Sequence, residues 1–438
     1  MLYGCVVGWS TNGIVKLRQE DSPIPLTKAE GTLLPAFFEL GRFSSAIPAG
    51  ISSDFVGRKP IIYLCGVQHL LAWLIKIFTS SKHLLYTARF LSGVATGTGN
   101  AVLFIYAGEV SPPRIRGTVL SVLYTCYYLG ILVQFVLGAY LDYRLVCVVS
   151  LAISLTFFVF VAYIKESPSF LMTKRKYDEA KRIHQWLNAG TSATTKADDE
   201  LCKEFEATKE YVSNQQKSKE SVGGGFADPV NRRCVSLVFF INFLTQLTGL
   251  PAVTVFVYSV FENVKTFSPA TFAVTFAAFQ YAAGCFSSVL SDKIGRRRMY
   301  MLTCSLCALS HLFTAVLFLL NDELGVAVPC QSWLLLLSVT FYACVYAAGL
   351  GPLTVIVRGE LLPQAVKGVG SGLAVVSAGV SCFLLIFIFH LMDEYVGMAY
   401  NFLFFLFCTV SLAVLVHFTL PETKHKTLAE IQAAMRPS

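Results

Sequence analysis

Long apolar runs, broken by short clusters of charge, glycine and proline, cover most of this chain. A hydrocarbon core about 30 Å thick takes roughly 20 helical residues to cross, so each long run reads as a spanning helix rather than an alternating strand. Cutting at the polar breaks gives twelve segments, at about 2–17, 32–53, 61–78, 84–107, 118–141, 145–164, 234–258, 269–291, 299–320, 331–356, 369–391 and 399–419. The first is short, since Leu2 to Val15 rises only about 21 Å at 1.5 Å per residue. It has no basic leader and no small-residue cleavage site, so it does not read as a signal peptide. It reads as a helix whose natural beginning is missing.

The pattern changes abruptly at 165–233, which is polar and charged. Tyr177 to Asn188 predicts a short helix ended by Gly190, and Leu201, Phe205, Thr208 and Val212 fall on one helical face behind the acidic turn Asp198 to Glu200. Gly223 to Gly225 then supplies slack, and Thr427 with Glu430 forms a candidate capping box for a last helix through Met435. The chain divides into a six-helix bundle at 1–164, a helical linker at 165–233, a second six-helix bundle at 234–420 and a tail at 421–438.

Composition adds that 55% of residues are hydrophobic and only 14% charged, too little polar surface for a soluble protein of 438 residues. The net charge of +8 is scattered over short loops rather than gathered in a stripe, so it excludes nucleic acid as the natural partner and points to the lipid bilayer. The thirteen cysteines lie mostly inside apolar runs, without CxxC or histidine spacing, and read as small packing groups. Neither a metal site nor a catalytic cluster is expected, and no cofactor; the chain does not read as an enzyme.

Two polar elements occur once in each half. Asp54-Phe-Val-Gly-Arg58-Lys59 returns 238 residues later as Asp292-Lys-Ile-Gly-Arg296-Arg297, each between two spanning segments. Glu109 precedes Arg116 by seven residues after the fourth segment, and Glu360 precedes Lys367 by seven after the tenth. An acid, a tight glycine turn and a base repeated in both halves suggest gating, with Glu109 pairing Arg58 or Arg116 and Glu360 pairing Arg296 or Lys367. Static interfacial ion pairs are the plainer alternative. Thirteen basic loop residues fall on the hinge side against six opposite, and 165–233 adds more, so the hinges and the carboxyl terminus are expected in the cytoplasm.

These motifs resemble the sugar porter family of the major facilitator superfamily: the paired hinges, Arg89-Phe90-x-x-Gly93, Glu109 to Gly117, Glu166-Ser-Pro168, Gly351-Pro352 with Glu360, and Pro421-Glu-Thr-Lys424. The insect facilitated trehalose transporters are the branch nearest in flavour. The resemblance implies an all-α integral membrane protein of the major facilitator fold, residence in the plasma membrane, and a small-molecule sugar as its partner. It also implies a sugar site on helices 5, 7, 8, 10 and 11, with Tyr124, Thr245, Gln246, Gly249 and Gln280 as its counterparts here. Much of that site is altered: Thr245 stands where the family has Gln, Pro251 where it has Asn, and Val355 where Trp is usual. Facilitated transport of trehalose or a hexose-like sugar is the leading expectation, with a proton-coupled sugar or polyol symporter and a non-transporting sensor as alternatives.

Ionisable groups inside spanning segments are costly and mark partners or cavities. Glu39 and Arg42 share one helical face and read as an ion pair, with Glu39 as a proton site the sharper alternative. His69 reads as a packing residue, Arg89 as structurally paired, and Gly93, Gly97, Gly99, Gly130 and Gly138 as points of close helix contact.

The orientation is checked by inserting an N-glycosylation acceptor, which the chain lacks. A site placed after Lys59 should stay bare in cells and one placed in a lengthened loop after Asp142 should gain a glycan; a glycan at the first position overturns the orientation.

Overall fold

Each hinge is one residue wide. In the computed structural model, which describes residues 1–19, 22–112, 115–188, 205–206, 224–255, 269–322, 325, 330–363, 366–422 and 435, helix α2 (Lys28–Val56) runs to the residue before Gly57 and α3 (Arg58–Phe78) starts at the residue after it. The expected six-residue loop is therefore the last turn of one helix and the first turn of the next. Gly57 makes this possible by adopting φ +116°, and Gly295 repeats the turn at φ +92°. Side chains rarely tolerate that region. A Cβ on Gly57 would also stand 2.4 Å from Glu166 Oε2, and one on Gly295 2.9 Å from Glu422 Oε2.

The remaining helices of the first half are α1 (Leu2–Leu17), α4 (Lys82–Val110), α5 (Arg116–Tyr140) and α6 (Tyr143–Tyr163). Between the halves lie α7 (Pro168–Thr173) and α8 (Tyr177–Asn188). The second half holds α9 (Pro229–Leu247), α10 (Leu250–Val255), α11 (Pro269–Ile294), α12 (Arg296–Asp322), α13 (Gln331–Val345), α14 (Gly351–Leu361), α15 (Lys367–Tyr395) and α16 (Met398–Thr419). Two expected single spans are interrupted. The seventh breaks at Thr248 and Gly249, where φ reaches +109°, leaving α9 and α10. The tenth carries a π-helical turn at Tyr346–Leu350 between α13 and α14, an insertion that recurs at functional sites.

Among the described residues, eight helices are long and apolar enough to cross a membrane. The other four expected spans fall short for visible reasons. α1 has 16 residues, α2 carries Glu30, Glu39, Arg42 and Asp54, α9 and α10 are broken, and α11 is diluted by Thr271, Thr275 and Gln280.

Packing follows the small residues. α2 lies on α4, where a Cβ on Gly93 would stand 2.0 Å from the Phe38 carbonyl, as expected for a close crossing. α2 also crosses to the second half and packs on α15, with the Gly368 carbonyl 2.3 Å from where a Cβ on Gly50 would be. On the other flank α5 packs on α11, and Thr125 donates to the Gly284 carbonyl at 2.9 Å. The linker forms its own small core: Phe170, Leu171 and Met172 of α7, Ala180 of α8, and Phe205. Phe205 was expected on the buried face of a helix; the rest of that helix, and the capping box at Thr427, lie outside the described residues.

Substituting Gly57→Ala or Gly295→Ala should lower thermal stability by about 1–3 kcal/mol, measured by melting in detergent. Either variant melting with the parent would show that the turns are not held as described.

Candidate functional site

A narrow space of about 40 Å³ lies where the two halves meet. The first half contributes aromatic surface: Tyr3 from α1, Phe38 from α2, and Tyr124 with Tyr127 from α5. Tyr3 and Tyr127 lie 4.5 Å apart and Tyr124 and Tyr127 5.7 Å, so the rings form one continuous wall. The second half brings Gln246, the α10 residues Leu250 and Pro251, Tyr346 from the π-helical turn, and Cys382 and Ile386 from α15. Gln246 and Pro251 flank the break in the seventh span; that break turns both toward the space. The Cys382 thiol donates to Gln246 Oε1 at 3.5 Å.

Glu39 also lines the space, and it is bound. Arg42 Nε donates to Glu39 Oε2 at 2.6 Å, Nη1 to the Tyr3 hydroxyl at 3.0 Å and Nη2 to the Ala378 carbonyl at 2.9 Å in the second half. Arg89 is fully buried beside them. It donates to neutral oxygens only in the bonds seen: Ser10 Oγ at 2.5 Å, the Val6 carbonyl at 3.2 Å and the Leu34 carbonyl at 3.4 Å.

Of the expected sugar ligands, Tyr124 and Gln246 line the space. Thr245 does not: its hydroxyl donates to the Ile241 carbonyl at 2.7 Å, within its own helix. Gly249 serves the helix break and backs onto the Phe405 ring. Gln280 is fully buried away from the space, with neither amide atom hydrogen-bonded among the described residues. Tyr3, Tyr127, Tyr346 and Cys382 were not anticipated. The recurrence of tyrosine at 124, 127 and 128, three and four residues apart, was the available sign of an aromatic helix face.

The charge clusters stand at the end that holds both hinges. Arg58 grips Glu109 with two bonds, Nε to Oε2 at 3.1 Å and Nη2 to Oε1 at 3.2 Å, and lies 3.2 Å from Asp54. Ser167 donates to Glu109 Oε2 at 2.6 Å. Lys367, from the second half, reaches across to within 3.8 Å of Glu109 Oε1, so this ion pair joins the halves rather than staying inside the second one with Glu360. Arg296 and Glu360 pair at 3.3 Å, as anticipated. The side chain of Asp292 lies outside the described residues, and Arg116 opens α5 beside the cluster.

Glu166 and Glu422 stand out in the sequence only as parts of motifs. Glu166 accepts the backbone N–H of Arg58 at 3.0 Å and of Lys59 at 3.2 Å; Glu422 accepts those of Arg296 at 2.9 Å and Arg297 at 3.3 Å. Each carboxylate caps the first turn of the helix that follows a hinge, where free N–H groups and the helix dipole favour an anion. The glycine of the hinge leaves room for it. Two more cross-half bonds close this end: Arg358 Nη2 to the Asn100 carbonyl at 3.3 Å and Ser371 Oγ to the Ala101 carbonyl at 2.9 Å.

The model of a family described as "Sugar (and other) transporter" matches residues 8–435. The chain belongs to the sugar transporter family. Among curated proteins, the facilitated trehalose transporter Tret1 of Polypedilum vanderplanki is 25% identical over 440 residues, covering 99% of this chain and 85% of its own. The facilitated glucose transporter member 6 of solute carrier family 2 in Homo sapiens is 26% identical, covering 96% and 85%. Among solved structures, the major facilitator superfamily proton:xylose symporter XylE bound to 6-bromo-6-deoxy-D-glucose superposes with a TM-score of 0.83 at 18% identity, covering 99% of this chain and 97% of that one. This is the major facilitator fold, and the family's proteins are transporters rather than enzymes.

Glu109→Gln leaves Arg58 and Lys367 buried without their carboxylate and should destabilise the protein by about 3 kcal/mol, read from melting in detergent. A change below about 0.5 kcal/mol would place these charges among weak surface pairs instead.

Proposed function

We propose that the chain carries a sugar across the plasma membrane by facilitated diffusion, its two six-helix halves, 1–164 and 234–420, rocking about the space between them. The observation that carries this reading is the inter-half closure at the hinge end. Lys367 with Glu109, Arg358 with the Asn100 carbonyl and Ser371 with the Ala101 carbonyl must all part for the space to open there. On our orientation that end faces the cytoplasm. Asp54, Arg58, Glu109, Arg116 and Lys367 act as its lock, and Asp292, Arg296 and Glu360 as the counterpart in the second half.

Charge supports a facilitator over a proton-coupled carrier. Among the described residues lining the space Glu39 is the one carboxylate, and the Arg42 guanidinium 2.6 Å away occupies it. Arg89 donates to hydroxyl and carbonyl oxygens in the bonds seen, so both groups are already partnered with the space closed.

Purified protein in liposomes should exchange labelled sugar saturably, with a rate unaffected by an imposed pH gradient and still unaffected in Glu39→Gln. Accumulation driven by the gradient would replace this reading with proton symport; sugar binding without flux would replace it with a sensor. For the lock, Arg58→Ala and Arg296→Ala should speed alkylation of Cys382 by a reagent supplied from the cytoplasmic side, with an unchanged rate contradicting the gate.

A further inference from the structure

We infer that the groove between α12 and α16 binds an anionic glycerophospholipid of the leaflet on the hinge side, with one acyl chain in the groove and the phosphate on Arg297. This is a second site, on the lipid-facing flank of the second half, and it does not depend on what the space between the halves carries.

α12 leaves the hinge with Arg297, Met301, Cys304 and Ala308 at i, i+4, i+7 and i+11, which puts them on one face. α16 runs back toward the same end and sets Val410, Ala413, Val414 and His417 beside that face. Between them lies a groove of about 310 Å³, room for roughly ten chain carbons if each takes about the 30 Å³ of a water molecule. The small side chains of Ser305, Ala308 and Ala413 leave the gap unfilled. Its hydroxyls are engaged within their own helices: Ser305 donates to the Met301 carbonyl at 2.9 Å and Thr409 to the Phe405 carbonyl at 2.7 Å. What remains is a surface for hydrocarbon. Both helices are long and apolar enough to cross a membrane, and Val410, Val414 and Phe418 are exposed along the rim, so the groove opens to lipid.

Depth and charge together specify the occupant. Met301 to Ala308 rises about 10 Å at 1.5 Å per residue, within one leaflet of a hydrocarbon core about 30 Å thick. The mouth lies at the hinge end, where Arg297 opens the same helix face. Its guanidinium donates to the His417 carbonyl in the last turn of α16, its one acceptor in the bonds seen. The carboxylate of Glu422 is occupied by the backbone N–H groups of Arg296 and Arg297. A guanidinium carries five N–H donors in a planar fork that matches phosphate, so most of them are free for a headgroup, and Arg298 is exposed beside it. Two guanidinium groups at the bilayer surface attract a net negative headgroup and repel the ammonium of a zwitterionic one. A sterol offers this mouth a single hydroxyl and no charge.

The test is melting of the purified full chain in detergent with added palmitoyl-oleoyl phosphatidylglycerol, phosphatidylcholine of the same chains, cholesterol or glycerol 3-phosphate. Phosphatidylglycerol should raise the melting temperature at least about 2 °C further than phosphatidylcholine does, and neither cholesterol nor glycerol 3-phosphate should match it. Arg297→Gln should lose most of that difference. Ala308→Leu, which fills the groove at a half-buried position and keeps the guanidinium, should lose it too. In the parent chain, phosphatidylglycerol with a photoreactive group on one acyl chain should crosslink within 301–308 or 409–418. No shift with phosphatidylglycerol, an equal shift from any of the other three, a difference that survives either substitution, or crosslinks confined to other segments would overturn the inference and leave the transport reading untouched.

Discussion

The carboxylate of Glu109 is the constraint on which the architecture turns. It sits with 1% of its side chain exposed, gripped by two Arg58 bonds and the Ser167 hydroxyl, with the Lys367 ammonium of the other half 3.8 Å away. Removing such charges from water costs several kcal/mol per ion, and only good geometry with satisfied lone pairs offsets it. Arg58 supplies that geometry because it opens α3 immediately after Gly57, and Glu166 fixes this helix start by capping its first N–H groups. One glycine turn, one capping carboxylate and one buried acid thus place one of the contacts that tie the halves together. The second half repeats the arrangement with Gly295, Glu422, Arg296 and Glu360.

The same economy governs the space above it. Arg42 ties Glu39, Tyr3 and the Ala378 carbonyl into one network that spans both halves, and so removes the charge and much of the hydrogen-bonding capacity from the lining. What is left is largely aromatic on the first half's side, and Leu250, Pro251 and Ile386 beside Gln246, Tyr346 and Cys382 on the other.

Much of the fold was legible in the sequence because hydrophobic length and loop charge act locally: the helix sequence, the hinges and the polar linker follow from spacing, which also offered Arg296 as one of two partners for Glu360. The breaks were harder. Gly249 was noticed as part of a motif, yet the interruption of the seventh span there, with the Phe405 ring against it, was not. The site was legible only in part. Tyr124 and Gln246 were found, whereas Thr245, one residue from Gln246, bonds to its own helix, a difference of about 100° in azimuth that no pattern of residue types announces. Tyr3, Tyr346 and Cys382 meet from three helices far apart in the chain, and Lys367 finds Glu109 across the halves. Such encounters are set by how the halves dock.

Interprobe distances across the hinge end test the alternating movement most directly. Spin labels carried by noncanonical residues at Phe55 and Arg298, which are exposed on the two halves, should give two distance populations in nanodiscs, with the longer one enriched in Lys367→Ala. A single distance, unmoved by that substitution and by a saturating sugar, would contradict the account.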